Sequence, residues 1–247
     1  MELSGNTILV SGGGSGIGLA LVERFLAHGN TVIICGRRES VLKSAKDRFP
    51  ALNTLTCDLS VEAEREKLAR EVVSQFPSLN VLVNNAGVQT AIDFAALEAN
   101  EFLIQREVDT NVTSPIALAA LLLPHLMKRK SAIINITSAL AFCPKAYVPV
   151  YSATKAALHS FSVSLRHQLK GSSVSVIEIA PPRVDTDLGF TDEKDADKER
   201  PPGISTSEFA DDAFAQLADG REEILVGLAA MLRENGERVF NKINPPR

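Results

Sequence analysis

The chain has 247 residues, 45% of them hydrophobic and 23% charged, with 15 Gly and 12 Pro. That usage, at a length sufficient to bury one large α/β core, excludes collagen-like, disordered and coiled-coil classes. The 26 basic and 30 acidic side chains leave a net charge of -4, which gives no general attraction to a phosphate backbone, so nucleic acid is not an expected partner.

Residues 7–10 are a β-branched and apolar run ending in a glycine cluster, and residues 17–27 have helical spacing that stops at His28-Gly29. The same strand-then-helix alternation follows. Strands are predicted over 31–35, 52–56 and 81–84, and helices over 40–48 and 60–75. Residues 111–128 read as helical apart from Pro115 and Pro124, 132–137 as a strand, 153–169 as a helix ended by Gly171, and 174–180 as a strand. Residues 208–217 then read as a helix, 224–226 as a short strand, and the remainder as a C-terminal helix and tail. Nearly all-apolar strands alternating with helices imply a doubly wound Rossmann fold: a parallel sheet of about seven strands with helices on both faces. No repeat is visible, and the whole chain, 1–247, is read as one dinucleotide-binding and catalytic domain.

Residues 181–207 break the alternation, being rich in Pro, Asp, Glu and Lys. Within them, 186–207 is a candidate substrate loop or lid, with Leu188 and Phe190 as apolar contacts. The charged run 192–200 reads equally as a solvated face. Cys35, Cys57 and Cys143 lie far apart with no CxxC pair, which suits neither a disulfide framework nor a zinc site. No histidine stands at metal-ligand spacing from a carboxylate or cysteine along the chain, and no metal is expected. The first residues carry no basic leader and no apolar run nears the roughly 18 residues a membrane span needs, so a cytoplasmic protein with no membrane partner is expected.

The first strand-to-helix turn of such a sheet offers backbone N–H groups and a helix dipole to a pyrophosphate. Here it is Ser11-Gly12-Gly13-Gly14-Ser15-Gly16-Ile17-Gly18, whose glycines give no strict GxGxxG but the wider Gly12-x-x-x-Gly16-x-Gly18. At the end of the second strand, Cys35-Gly36-Arg37-Arg38 has no acid for a ribose 2′-OH. Arg37 and Arg38 suit the 2′-phosphate of NADP better than NAD, although two solvated arginines opening a helix would look the same. Tyr151-Ser152-Ala153-Thr154-Lys155 places a phenol and an ammonium four apart on one helix face, and Ser138 closes a strand thirteen residues earlier, at the sheet edge that would receive the nucleotide.

Taken together these residues resemble the short-chain dehydrogenase/reductase (SDR) family of the compact kind, from about Asn6 to Thr186. The glycine turn matches that family's Thr-Gly-x-x-x-Gly-x-Gly with serine first, and Asn84-Asn85-Ala86-Gly87 matches the segment after the fourth strand. The resemblance implies Asn111, Ser138, Tyr151 and Lys155 as the catalytic set. It implies cofactor contacts from Ser11, Gly12, Ser15, Gly16, Ile17 and Gly18 in the first turn, from Asp58 and Leu59, and from Asn84, Ala86 and Gly87. Tyr151, Lys155, Pro181, Val184 and Thr186 would complete the cofactor site. Pro182 stands where the family usually has glycine, which stiffens that wall. Gly5-Asn6-Thr7 and Glu223-Ile224-Leu225-Val226-Gly227 further resemble the DltE-like bacterial members.

The implied activity is hydride transfer between NADP, or alternatively NAD, and a small, hydrophobic carbonyl or alcohol substrate. Tyr151 would be the acid/base with its pKa lowered by Lys155, Ser138 would polarise the carbonyl, Asn111 would hold a water that joins Lys155 to solvent, and Thr186 would hold the nicotinamide carboxamide. Ala139, Leu140, Phe142 and Pro144 would form an apolar pocket wall, and a homodimer or homotetramer is implied. The alternative is a catalytically silent dinucleotide-binding sensor or scaffold, which needs the glycine turn but no acid/base group. An epimerase or dehydratase would need more chain than the roughly sixty residues after Thr186.

Overall fold

A computed structural model describes residues 1–96, 99–189 and 202–245. Seven strands, β1 (Thr7–Ser11), β2 (Thr31–Gly36), β3 (Asn53–Thr56), β4 (Val81–Asn84), β5 (Ser131–Ile136), β6 (Val174–Ala180) and β7 (Glu223–Leu225), form one sheet in the order β3-β2-β1-β4-β5-β6-β7. Every neighbouring pair is parallel. The helices are α1 (Gly16–Ala27), α2 (Glu39–Arg48), α3 (Glu62–Gln75), α4 (Glu101–Val108), α5 (Ser114–Leu126), α6 (Pro149–Gln168), α7 (Thr206–Ala218), α8 (Leu228–Asn235) and α9 (Phe240–Ile243).

The doubly wound architecture follows from strands that are apolar on both faces. Alternate residues of one strand enter opposite cores: Ile8 and Val10 join Leu21 and Phe25 of α1 and Phe209 of α7, whereas Leu9 joins Leu68 of α3 and Leu118 of α5. Val81 and Val83 divide from Leu82 in the same way, as do Ala132 and Ile134 from Ile133. Each such Val, Leu, Ile or Phe side chain, fully buried, contributes roughly 1.5–3 kcal/mol. Strand order reverses between β1 and β4, so the crevice at their carboxyl ends is the topological switch point where ligands of such sheets bind. Among the described residues no helix is long and apolar enough to cross a membrane.

Two departures from the sequence reading bear on the site. The helical stretch around Asn111 begins at Glu101, where the Asn100 side chain accepts from the N–H groups of Phe102 and Leu103. It passes through a π-helical turn, Asp109–Thr113, before Pro115 opens α5, so Asn111 lies inside that turn and does not start a helix. In addition, α6 begins at Pro149, four residues earlier than expected, and carries both Tyr151 and Lys155 within its body. Of the candidate lid, Phe190 and the run 192–200 lie outside the described residues. The base of that loop is clamped: Val184 pairs with Ile204, Asp185 N–H donates to Ile204 O at 2.9 Å, and Gly203 N–H donates to Asp185 Oδ1 at 2.9 Å.

Candidate active site

The glycine turn packs so tightly that side chains have no place in it. A Cβ on Gly18 would lie 2.3 Å from Gly12 O, one on Gly12 2.9 Å from Ala86 Cα, and one on Gly13 2.5 Å from Ile34 Cγ2. Gly12 and Gly16 also take φ of 63° and 53°, a region that disfavours a Cβ. Ser15 makes no side-chain cap and the first turn of α1 has no acidic residue, which leaves its N–H groups available to an anion. Thr186 closes over this turn, since a Cβ on Gly16 would meet its Cγ2 at 3.1 Å.

Ser11 works inside the protein. Its hydroxyl accepts from Asn85 N–H at 2.9 Å and Ala86 N–H at 3.0 Å, and the Asn85 amide donates to Ser11 O and Gly12 O. The two turns flanking the crevice are therefore laced together. Asn84 points into the sheet, donating to Asn135 Oδ1 at 2.9 Å. Leu59 packs its side chain in the core beside Leu68 and Leu82.

Beyond β2, Arg37, Asp58, Ser60, Phe102, Gln105, Arg106 and Asp109 line a cavity of about 440 Å³. Arg38 is not among its walls and instead stands at the start of α2, exposed. Burial of Asp58 would raise its pKa, but hydrogen bonds from Ser60, the Oγ at 2.7 Å, together with the fields of Arg37 and Arg106 outweigh it and hold the carboxyl below the usual range. Phe102, Gln105 and Arg106 all belong to α4, the helix that sequence reading missed.

Three strand spacings away, about 14 Å, Ser138, Tyr151 and Lys155 converge beyond the end of β5. Ser138 caps the short 3-10 turn Ala139–Ala141, which Pro181 O anchors by accepting from Ala139 N–H at 2.8 Å. Its hydroxyl accepts from Leu140 N–H at 3.1 Å and lowers the pKa of the Tyr151 phenol. Lys155 Nζ donates to Ile136 O at 2.8 Å and lies 5.6 Å from the centre of the Tyr151 ring. Tyr151 is 6% exposed and Lys155 4%.

Burial pushes Tyr151 up; the Ser138 hydrogen bond opposes this, and the charge of Glu107 reinforces it. Burial brings Lys155 down to about 8 against the raising effect of Glu107. The expected lowering of the phenol by the ammonium is thus not what governs Tyr151 here, because its ring and hydroxyl are out of water.

Asn111 is 1% exposed and its amide is committed: Nδ2 donates to Val88 O at 2.8 Å and Thr154 Oγ1 at 3.0 Å, while Oδ1 accepts from Val88 N–H at 2.9 Å. Both amide protons are spent, so the side chain clamps the segment after Gly87 onto α6 and is not free to donate to a water. A Cβ on Gly87 would lie 3.4 Å from Asn111 Oδ1 and 3.7 Å from Lys155 Nζ. Of the apolar wall residues, Ala139 and Phe142 pack with Ala229 and Leu232 of the C-terminal segment. Cys143 belongs to the same buried cluster, and burial pushes its thiol up.

Two features were invisible in sequence. Glu107, on α4, is wholly buried, and its charge acts on both Tyr151 and Lys155. Contrary to the spacing argument about histidines, His159 meets carboxylates in space: its Nδ1 lies 2.8 Å from Glu178 Oε2, with Glu223 close by. Those three residues stand on α6, β6 and β7, and chain spacing cannot show such a meeting. Arg233 already pairs with Glu223 at 3.0 Å, and Thr137 donates to Glu178 at 2.7 Å.

The family model for short chain dehydrogenases matches residues 6–197. An uncharacterised oxidoreductase of Bacillus subtilis, DltE, is 45% identical over 99% of this chain and 98% of its own. A serine 3-dehydrogenase of Agrobacterium fabrum is 36% identical over 74% of this chain and 73% of its own. Among solved structures, a short chain dehydrogenase of Burkholderia cenocepacia in complex with NADP superposes with a TM-score of 0.83, at 23% identity and full coverage of both chains.

Proposed function

The chain belongs to the short-chain dehydrogenase family of oxidoreductases, and we propose that it is an NADP-preferring enzyme that interconverts a small, hydrophobic carbonyl compound and its alcohol. The observation that carries this reading is the convergence of Ser138, Tyr151 and Lys155 at one end of β5, with Lys155 Nζ held by Ile136 O at 5.6 Å from the centre of the Tyr151 ring. A sensor or scaffold has no use for a buried phenol and a buried ammonium, each costly to hold out of water, side by side in the crevice.

The residues present fit a dinucleotide. The uncapped start of α1, with Ser15, Gly16, Ile17 and Gly18, would hold the pyrophosphate. Ala86 and Gly87 would border it across the crevice. Asp58 in the cavity beyond β2 would take the adenine end, and Arg37 a 2′-phosphate. Pro181, Val184 and Thr186 would border the nicotinamide. When bound, that cofactor supplies or accepts the hydride.

Tyr151 holds its proton at neutral pH and donates it to the carbonyl oxygen. Ser138 donates to that same oxygen and polarises it, and the Lys155 ammonium steadies the phenolate left behind. Asn111 keeps α6 and the 88–92 segment in register around them. Tyr147 is half exposed, whereas Phe142 packs against the C-terminal cluster of Ala229 and Leu232. Assembly into a homodimer or homotetramer belongs to the same proposal, supported by Leu121 and Val163, exposed on α5 and α6.

The test begins with cofactor alone. Titrations of NADPH and NADH followed by cofactor fluorescence are expected to favour NADPH. Arg37→Ala should weaken NADPH about 10- to 100-fold, as loss of one charge-assisted contact does, and leave NADH unchanged. Equal affinity for both in the parent protein would overturn the NADP preference, and binding of neither would overturn the enzyme reading.

A further inference from the structure

The hydride-transfer reading leaves the buried Glu107 unused. Glu107 is 0% exposed, its Oε1 accepts from Thr90 N–H at 3.3 Å, and its Oε2 has no hydrogen-bond partner. A buried carboxylate oxygen with nothing to receive is costly, and such groups persist where their charge or proton is needed. Its place says where. Glu107 stands one turn before Asn111, which is hydrogen-bonded to Thr154 on α6, and Tyr151 stands one turn before Lys155 on that helix. Helix α4 packs against α6, so the charge of this carboxyl reaches the phenol and the ammonium on that helix, and the segment that carries Thr90 covers it.

Among the described residues, the charged and titratable groups that act on it or on its two neighbours are few. From α6 come Lys155 and Tyr151, from its own helix Arg106, and from the loop before α6 Tyr147, which acts on Tyr151. Lys155 donates to Ile136 O, and Glu107 is the carboxylate whose field acts on its ammonium. A negative charge here raises the proton affinity of both neighbours at once.

We propose that Glu107 is a positioning residue for proton transfer: its buried carboxylate keeps Lys155 an ammonium and Tyr151 a phenol, biasing the site toward donating a proton and so toward carbonyl reduction. This rests on Tyr151 as the acid/base. Burial in turn pushes Glu107 up to about 7, the Thr90 N–H and the charges of Arg106 and Lys155 opposing it, so the bias strengthens as pH passes neutrality.

The decisive measurement needs no substrate. In infrared pH titrations, the carboxylic-acid band abolished by Glu107→Gln is expected to titrate near neutral pH, and in Lys155→Met to titrate at higher pH, because the ammonium that lowered it is gone. A band that titrates below pH 5, or one that Lys155→Met does not move, overturns the proposal. With any reducible carbonyl substrate, the alkaline limb of the rate profile should move down by about one unit in Glu107→Gln. Turnover above that limb then falls about tenfold, and Glu107→Asp should restore part of it. A Glu107→Gln profile scaled down but unshifted marks a merely structural residue and also overturns it. Full turnover in Tyr151→Phe would instead sink the acid/base assignment, and the infrared result still reports on Glu107 and Lys155 by themselves.

Discussion

At the scale of single residues, the site depends on two substitutions with opposite signatures. Tyr151→Phe keeps the buried ring and removes only the hydroxyl that Ser138 meets, so NADPH binding should persist while turnover falls about 10²- to 10⁴-fold. Steady-state rates beside a cofactor titration check this. Gly18→Ala should do the reverse kind of damage. Its methyl would lie 2.3 Å from Gly12 O and 2.5 Å from the Asn85 amide, so the turn must open. Cofactor binding and thermal stability are expected to drop together, measured by fluorescence titration and by Tm. Gly14→Ala is the comparison, because there the close atom is a side-chain methyl, Val41 Cγ1 at 2.9 Å, with the Val41 backbone no nearer than 3.6 Å, and it should lose much less. Ser138, Tyr151 and Lys155 were legible in sequence because phenol, ammonium and hydroxyl stood at helix and strand-end spacing. Glu107 was not, because a lone glutamate in a helix ordinarily faces water and nothing local marks it as buried.

At the scale of elements, the strands could be read from sequence almost to the residue, since apolar or β-branched runs of three to seven residues between turn signals leave little choice. The helix that failed to appear, α4, buries only Glu107 among its eight residues and so shows no apolar stripe to read. Its signal was the cap: Asn100 followed by Glu101. Residues 111–128 read as one helix, whereas the helical stretch begins at Glu101 and a π-helical turn joins α4 to α5. If the cap organises α4, then Asn100→Ala removes acceptors for Phe102 and Leu103 N–H and should cost about 1 kcal/mol. Tm would then fall by roughly 2–4 °C in a protein of this size. Because α4 also supplies Phe102, Gln105 and Arg106 to the cavity beyond β2, affinity for NADPH should weaken with it. An unchanged affinity at lowered Tm would separate the helix from the nucleotide site.

At the scale of the whole molecule, a sheet with two cores places the buried pair Glu107 and Lys155 where folding itself must answer for their charges, and the pH dependence of stability follows with a definite sign. Glu107 in the folded protein is raised from 4.5 to about 7, so between those values the folded state holds a proton that the unfolded chain has released. Stability from this group is present below pH 4.5 and is lost as pH rises to 7. Lys155 is lowered from 10.5 to about 8, so between pH 8 and 10.5 the unfolded chain holds the extra proton and stability rises with pH. The two contributions leave a minimum between pH 7 and 8, where the folded protein carries both charges in its interior. Replacing both groups with neutral residues of similar length, Glu107→Gln with Lys155→Met, should raise Tm most in that window, and the advantage should shrink toward pH 5 and toward pH 10. Thermal unfolding of the two proteins across that range tests it. A constant difference in Tm would mean that neither group is perturbed by burial, whereas a dip confined to pH 7–8 would show that the fold gives up stability at the pH where the proposed proton transfer operates.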